Sequence, residues 1–453
     1  MLTQVRCASL VALGLTLAVS SACRDDDANA PARDALRQPT GLALLADGRW
    51  LLVTNGNWDR EESHGTLLGI DLASVHESLA SGDDRRCPED PDGVRQCRAS
   101  AFIDAASTVS MGSGLGNIAV DEPRGPTGTP RLLVVQRGPA AIRWLDVFVR
   151  SNRLTFDCGQ DARGVCDERH AITTSPANPD VRLPRDPSRV VVDRDGFRFA
   201  YVPHLLGGAL SLVRLDGEAG PTLQAVVGEF YREDPFDDGL DLSGGFSVAH
   251  RPCDPINPPE ASRACTRPLL MTTHRFWPGV RQFTVAPGLQ VVLAGPSTQL
   301  DPINPDVVQS RPLMGDLAFE DDTGDRLLVV QTTPGGLVRV DTSLDADAEL
   351  RTTVSRTVAI CGNPNLLRVY EAPGEEPLAL VTCFADDAMT VVGLGSFTVM
   401  RTIPLGEGPN EVVIDEVRRQ AYVANTGDDT ISIVSLERDR ARFLTEWARI
   451  GAR

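Results

Sequence analysis

The sequence contains no lysine, so all 44 of its Lys-plus-Arg residues are arginine. That absence excludes a P-loop lysine, a Schiff-base lysine and a lysine general base. Acidic residues number 62 and leave a net charge of -18 at pH 7. Such a field repels phosphate backbones and anionic headgroups, which excludes nucleic acid as a partner class. Beyond the N-terminal segment no apolar run reaches the roughly 18 residues of a transmembrane helix. Chemistry-bearing motifs are missing too: there is no G-x-S-x-G elbow, no H-E-x-x-H, no C-x-x-C and no C-x-x-C-H. What is present is globular composition, with 42% hydrophobic and 23% charged residues, which excludes disorder of the whole chain. Forty glycines and 32 prolines favour short strands joined by turns over long helices. A chain of 453 residues holds two or three ordinary domains or one large all-β unit.

Arg6 precedes an apolar run from Ala8 to Val19, followed by Ser20-Ser21-Ala22-Cys23 and the charged Arg24-Asp25-Asp26-Asp27. The pattern resembles a bacterial lipoprotein signal, with Ser20 standing where leucine is usual. The resemblance implies a signal peptide over 1–22, lipidation of Cys23, a tether over 23–37 and a folded part over 38–453. Arg24 rather than aspartate follows the cysteine, which by the enteric sorting rule implies an outer-membrane lipoprotein, touching membrane through its anchor only. Ser20 and Ala22 also satisfy the small-x-small rule of an ordinary signal peptidase, so a soluble periplasmic or secreted protein is the alternative.

Apart from Cys7 and Cys23, eight cysteines remain, in couples 10, 8, 12 and 22 residues apart. An even set in an exported chain reads as disulfides. Sequence-local pairing gives Cys87 with Cys97, Cys158 with Cys166, Cys253 with Cys265, and Cys361 with Cys383.

A repeat runs through the chain. Gly408-Pro409-Asn410-Glu411 leads into an apolar strand, a polar turn, Tyr422-Val423-Ala424-Asn425, an acidic turn and a third strand from Thr430. The same cadence opens at Pro39-Thr40-Gly41 and recurs five times between. Taking Gly41, Asn117, Arg189, Ser247, Asp316, Leu366 and Glu411 as equivalent, the intervals are 76, 72, 58, 69, 50 and 45 residues. The fourth copy opens on Gly244-Gly245-Phe246 without a neighbouring proline or asparagine, so the count is most exposed there. Tyr422-Val423-Ala424-Asn425, with Tyr201-Val202-Pro203-His204 in the third copy, resembles the name-giving tetrapeptide of the YVTN family of repeats. The resemblance implies an all-β fold: a single seven-bladed β-propeller of four-stranded antiparallel blades. Gly112-Ser113-Gly114-Leu115-Gly116 is followed by a strand rather than a helix, so it reads as an inter-blade loop and not a phosphate cradle.

Two constellations carry candidate chemistry. Asn117, Arg189, Asp316 and Glu411 stand at equivalent positions just before the innermost strands, facing the mouth of the expected channel. Their oxygens suit calcium or another divalent cation, and the arginine suits a carboxylate or phosphate. In residue type and expected location the set is similar to the metal site of gluconolactonase-type propellers, without a shared motif; a wet polar funnel is the plainer reading. Convergence of Asp316 and Glu411 on one cation requires a narrow mouth with Arg189 held outside the coordination shell. His204 and His274 end the second strands of adjacent copies and suit zinc or copper; alternatively each replaces the turn asparagine of its blade, as in Asn55 and Asn425. The acidic turns at 193–196 and 321–325 lack the ligand spacing of an EF-hand. The leading expectation is a monomeric, non-enzymatic, envelope-anchored module without a cofactor, binding an envelope protein or ligand on its loop face. The alternative is a metal-dependent hydrolase or lactonase at the channel mouth.

Overall fold

A computed structural model describes residues 29–122, 128–193, 197–217, 219–232, 244–252, 268–286, 291–300, 313–344 and 350–451. Cys23 and the couple Cys253 and Cys265 lie outside the described residues. Seven sheets follow one another along the chain, each with an antiparallel run of four strands that opens with its innermost strand. Those inner strands are Pro39–Leu44, Leu115–Asp121, Val191–Val192, Gly245–His250, Leu313–Phe319, Pro364–Tyr370 and Pro409–Asp415. The register expected from the repeat therefore holds, the fourth copy included. At that copy Gly245 accepts the ring of Tyr231, because a Cβ there would lie 2.2 Å from the Tyr231 Cζ.

Why seven sheets cohere follows from strand alternation. Successive side chains point to opposite faces, so each second strand serves two neighbours at once. In Trp50–Asn55, Leu51 and Val53 face the last blade while Trp50 and Leu52 face the second. In Gln420–Asn425, Tyr422 and Ala424 face the first blade, whereas Ala421 and Val423 face the sixth. Seven apolar clusters result, one between each consecutive pair of blades around the ring. A strand buried on both faces reads as a continuous apolar run, which is why these second strands stand out in the sequence. Hydroxyls reinforce the junctions: Thr54 Oγ1 donates to the Gly116 carbonyl at 2.7 Å, Thr273 Oγ1 to that of Gly315 at 2.8 Å, and Thr426 Oγ1 to that of Pro39 at 2.7 Å.

Two blades exceed four strands. In the second, the long strand Ala141–Arg150 pairs with both Ala171–Ile172 and the hairpin strand Arg153–Asp157. In the last, Glu446–Ile450 gains a parallel neighbour, Arg95–Cys97, from an insertion inside the first blade. That insertion begins with the helix Leu72–Ser81, capped by the Asp71 carboxylate, which accepts from the Ala73 and Ser74 amides. Its far end is closed by Gly82 at φ 67, whose amide reaches the Leu79 and Ser78 carbonyls. Leu72 and Val75 bury its inner face, and His76 Nε2 meets the Tyr422 hydroxyl of the last blade at 2.9 Å. The Cys87–Cys97 disulfide staples the inserted strand in place. Disulfides Cys158–Cys166 and Cys361–Cys383 are formed as well.

Candidate functional site

Strand direction alternates from the axis outward, so the loops between second and third strands share one face of the ring with the starts of the inner strands. Near that face the expected channel-mouth residues converge. Arg189 of blade three donates to Glu411 of blade seven at 3.1 Å. Arg368 of blade six sits between the two carboxylates, 2.6 Å from Glu411 and 3.0 Å from Asp316 of blade five. Asp316 also accepts from the Ser247 hydroxyl of blade four and from the amides of Leu317 at 3.0 Å and Leu367 at 3.3 Å. Asn117 of blade two makes a two-way clasp with Val190, donating to its carbonyl at 3.0 Å and accepting from its amide at 2.9 Å. Six of the seven blades thus contribute a polar side chain to the funnel.

The seventh contribution is an absence. At Gly41 of blade one a Cβ would lie 2.2 Å from the Gly116 carbonyl oxygen and 2.9 Å from the Asn117 Cα. Only glycine admits so close an approach of two inner strands.

The charges balance, with two guanidiniums for two carboxylates. Arg189, Asp316 and Glu411 are 6%, 2% and 1% exposed, so their ion pairs operate with little solvent screening. Burial alone would raise the Asp316 carboxyl, but the Arg189 and Arg368 charges outweigh it and hold it below its ordinary value of 3.8. For Arg189, burial acts against the charged form, and Glu411 with Asp316 reverses that and raises its affinity for the proton. Arg368 was not singled out by the repeat alignment. It stands two residues beyond Leu366, on the same side of an inner strand, and that i, i+2 relation is the signal that locates it.

His204 and His274 are each engaged locally. His204 Nε2 lies 2.8 Å from the Ser211 hydroxyl and Nδ1 lies 3.2 Å from the Arg185 carbonyl. His274 Nε2 faces the Tyr231 carbonyl. Asn425 occupies the same strand end in blade seven and donates to Thr430 and Ser432 hydroxyls at 2.9 and 2.8 Å. Each of these side chains ties the end of a second strand to its surroundings. Of the acidic turns, Asp321 accepts from the Thr323 amide at 3.0 Å and pairs with Arg326 at 2.6 Å, closing a hairpin. Among the described residues no three His, Cys, Asp or Glu side chains are grouped to hold a metal ion.

No family model matches the sequence, and no curated protein is detectably similar to it. Solved structures do resemble it. Hydrazine synthase of Kuenenia stuttgartiensis is 12% identical with a TM-score of 0.54, over 90% of this chain and 97% of that one. The periplasmic gluconolactonase of Pseudomonas aeruginosa is 17% identical with a TM-score of 0.51, over 82% and 87% of the two chains. A protein from Lactobacillus plantarum is 14% identical with a TM-score of 0.52, over the same shares of 82% and 87%. Likeness at such identity is one of fold, and with the seven sheets it makes this chain a seven-bladed β-propeller.

Proposed function

We propose that the chain is a lipid-anchored envelope propeller of YVTN-type repeats that works by binding, as a scaffold or recognition module, rather than by catalysis. One observation carries this reading: both funnel carboxylates are already held by arginines. A divalent cation entering there would meet two fixed positive charges and would have to displace them, whereas a cation site needs carboxylates free to coordinate. Arg189, which a metal site requires outside the coordination shell, is in direct contact with Glu411. Export is supported by the three disulfides.

The rival is a metal-dependent hydrolase or lactonase at the same mouth; the P. aeruginosa neighbour is named a gluconolactonase. A thermal-shift series with calcium, magnesium, manganese and zinc separates the two. A cation at 100-fold excess over its dissociation constant stabilises by about 2.7 kcal/mol. The expected outcome on the wild-type protein is no cation-specific shift and no lactone hydrolysis; stabilisation by one cation together with turnover defeats the binding-module reading. Anchoring has its own test. Cys23→Ser is expected to move the protein from the membrane fraction to the soluble one, and unchanged fractionation contradicts a lipid anchor.

A further inference from the structure

The loops gathered on the face where the second strands end border an open-sided cavity of about 170 Å³ between blades one, two and three. Its wall on one side is the turn Asn57 to Arg60, and on the other Arg137, Gly138 and Asp186. Gly114, from the glycine-rich inter-blade loop, also lines it. The Gly114 amide donates to the Gly56 carbonyl at 2.8 Å and its carbonyl accepts from Arg137 at 2.8 Å. A Cβ at Gly114 would lie 3.2 Å from the Gly138 nitrogen, and φ there is +73. Asn57, Arg60 and Asp186 also hold positive φ, at 48, 58 and 55. Three separate loops thus meet around this cavity with their backbone in the left-handed region.

The groups facing the cavity are chemically specific. The Arg137 guanidinium lies 5.0 Å from the Trp58 ring centroid and pairs with the Asp186 carboxylate. Trp58 is 41% exposed, so part of its indole remains open. Arg60 pairs with no carboxylate among the described residues. Its acidic neighbours are turned to other partners: Asp59 accepts from Gln38 at 3.1 Å and Glu61 pairs with Arg37 at 2.5 Å. The lining is thus net positive within a chain of net charge -18.

We infer that this cavity binds a hydroxylated ring bearing one carboxylate, the chemistry of a hexuronate. Arg60 takes the carboxylate through its planar fork, Asp186 accepts from ring hydroxyls, and the open part of Trp58 covers the C–H face. Drug-sized pockets start at roughly 300 Å³, so the volume admits about one sugar ring. The inference rests on the binding-module reading and supplies it with a ligand class.

The test is titration of the full chain with galacturonate and with its neutral twin galactose, followed by calorimetry and tryptophan fluorescence. Saturable binding of galacturonate with none of galactose is expected. Arg60→Ala should weaken it about tenfold, the scale of one lost charge-assisted hydrogen bond, with an unchanged melting temperature because the side chain is exposed. Trp58→Phe should abolish the optical signal while calorimetry still detects binding. Oligogalacturonate binding more tightly than the monosaccharide assigns the site to a polysaccharide, and equal affinity assigns it to free sugar acids; both support the cavity. No saturable heat, affinity unaffected by Arg60→Ala, or equal binding of inorganic phosphate overturns it. Such a failure leaves the binding-module reading standing, since that reading falls only to the cation series and lactone turnover.

Discussion

Glu411→Ala is expected to destabilise the fold by about 3–5 kcal/mol, the usual cost of leaving a buried charge without its partner. The variant strands Arg189, 6% exposed, facing only the more distant Asp316. Arg368 suffers less, because its side chain is 32% exposed and can turn toward water. Two companions locate the cost. Glu411→Gln keeps size and an acceptor oxygen but removes the charge, and should fall between wild type and Glu411→Ala. The pair Arg189→Met with Glu411→Leu removes both charges and should recover much of the loss, since an apolar pair of similar volume often substitutes for a buried ion pair. Urea denaturation measures all three. A Glu411→Ala protein within about 1 kcal/mol of wild type, the typical scale of an exposed pair, would mean that the axis is not held by these charges.

A fall in pH from 7 to 4 should cost this protein several kcal/mol through three histidines. Desolvation lowers His76, His204 and His274 to about 4 from an ordinary 6.5. At His76 the Arg418 charge adds to the effect; at His204 the Arg185 carbonyl and Asp186 oppose it without prevailing. Between those limits the unfolded chain binds more protons than the folded one, so stability rises with pH. Each contribution is whole above about pH 6.5 and is lost as pH falls toward 4, at ~3 kcal/mol per histidine by the usual conversion. Asp316 acts in the same sense lower down, where its depressed carboxyl loses its contribution as pH falls below 3.8. His204→Asn should flatten the slope, because asparagine serves the equivalent strand end in blades one and seven without titrating. Stability that is flat from pH 7 to 5 would contradict the buried, neutral state of these rings.

Much of this architecture is legible in the sequence because a doubly buried second strand recurs at each blade and ends on asparagine in blades one and seven. Tyr422-Val423-Ala424-Asn425 states the rule, and even Gly244-Gly245-Phe246, with no proline or asparagine, starts a blade on time. Three of the local cysteine couples are legible for a related reason: hairpins and short loops bring neighbours in sequence together. The insertion between Asp71 and Val109 is different. Its pairing of Ala448 with Arg95 and of Ile450 with Cys97 joins segments from opposite ends of the chain, and three parallel residues carry no periodicity that could announce it. The funnel lies between these extremes. Asn117, Arg189, Asp316 and Glu411 are visible as polar residues at equivalent positions, but which of them touch depends on ring curvature, and Arg368 enters the network one turn of strand alternation off the aligned position.

The strand at residues 95–97 also sets an order of events. The last blade is made wholly from the C-terminal strands, yet its outer edge is finished by a segment more than three hundred positions earlier. As an exported chain enters the oxidising compartment N-terminus first, the helix and disulfide-closed loop that carry this strand form before their partner arrives. Until Glu446–Ile450 arrives, the insert offers an unpaired edge, the kind of surface on which chains pair with the wrong neighbour. Joining the two is a contact of very high sequence separation, hence slow and late. A local disulfide between residues ten apart in sequence can preshape the waiting strand and shorten that search. Loss of the final strand would therefore leave two unpaired edges exposed on one molecule, each shaped for the same missing strand, and chains in that state would be prone to capture a strand from a neighbour.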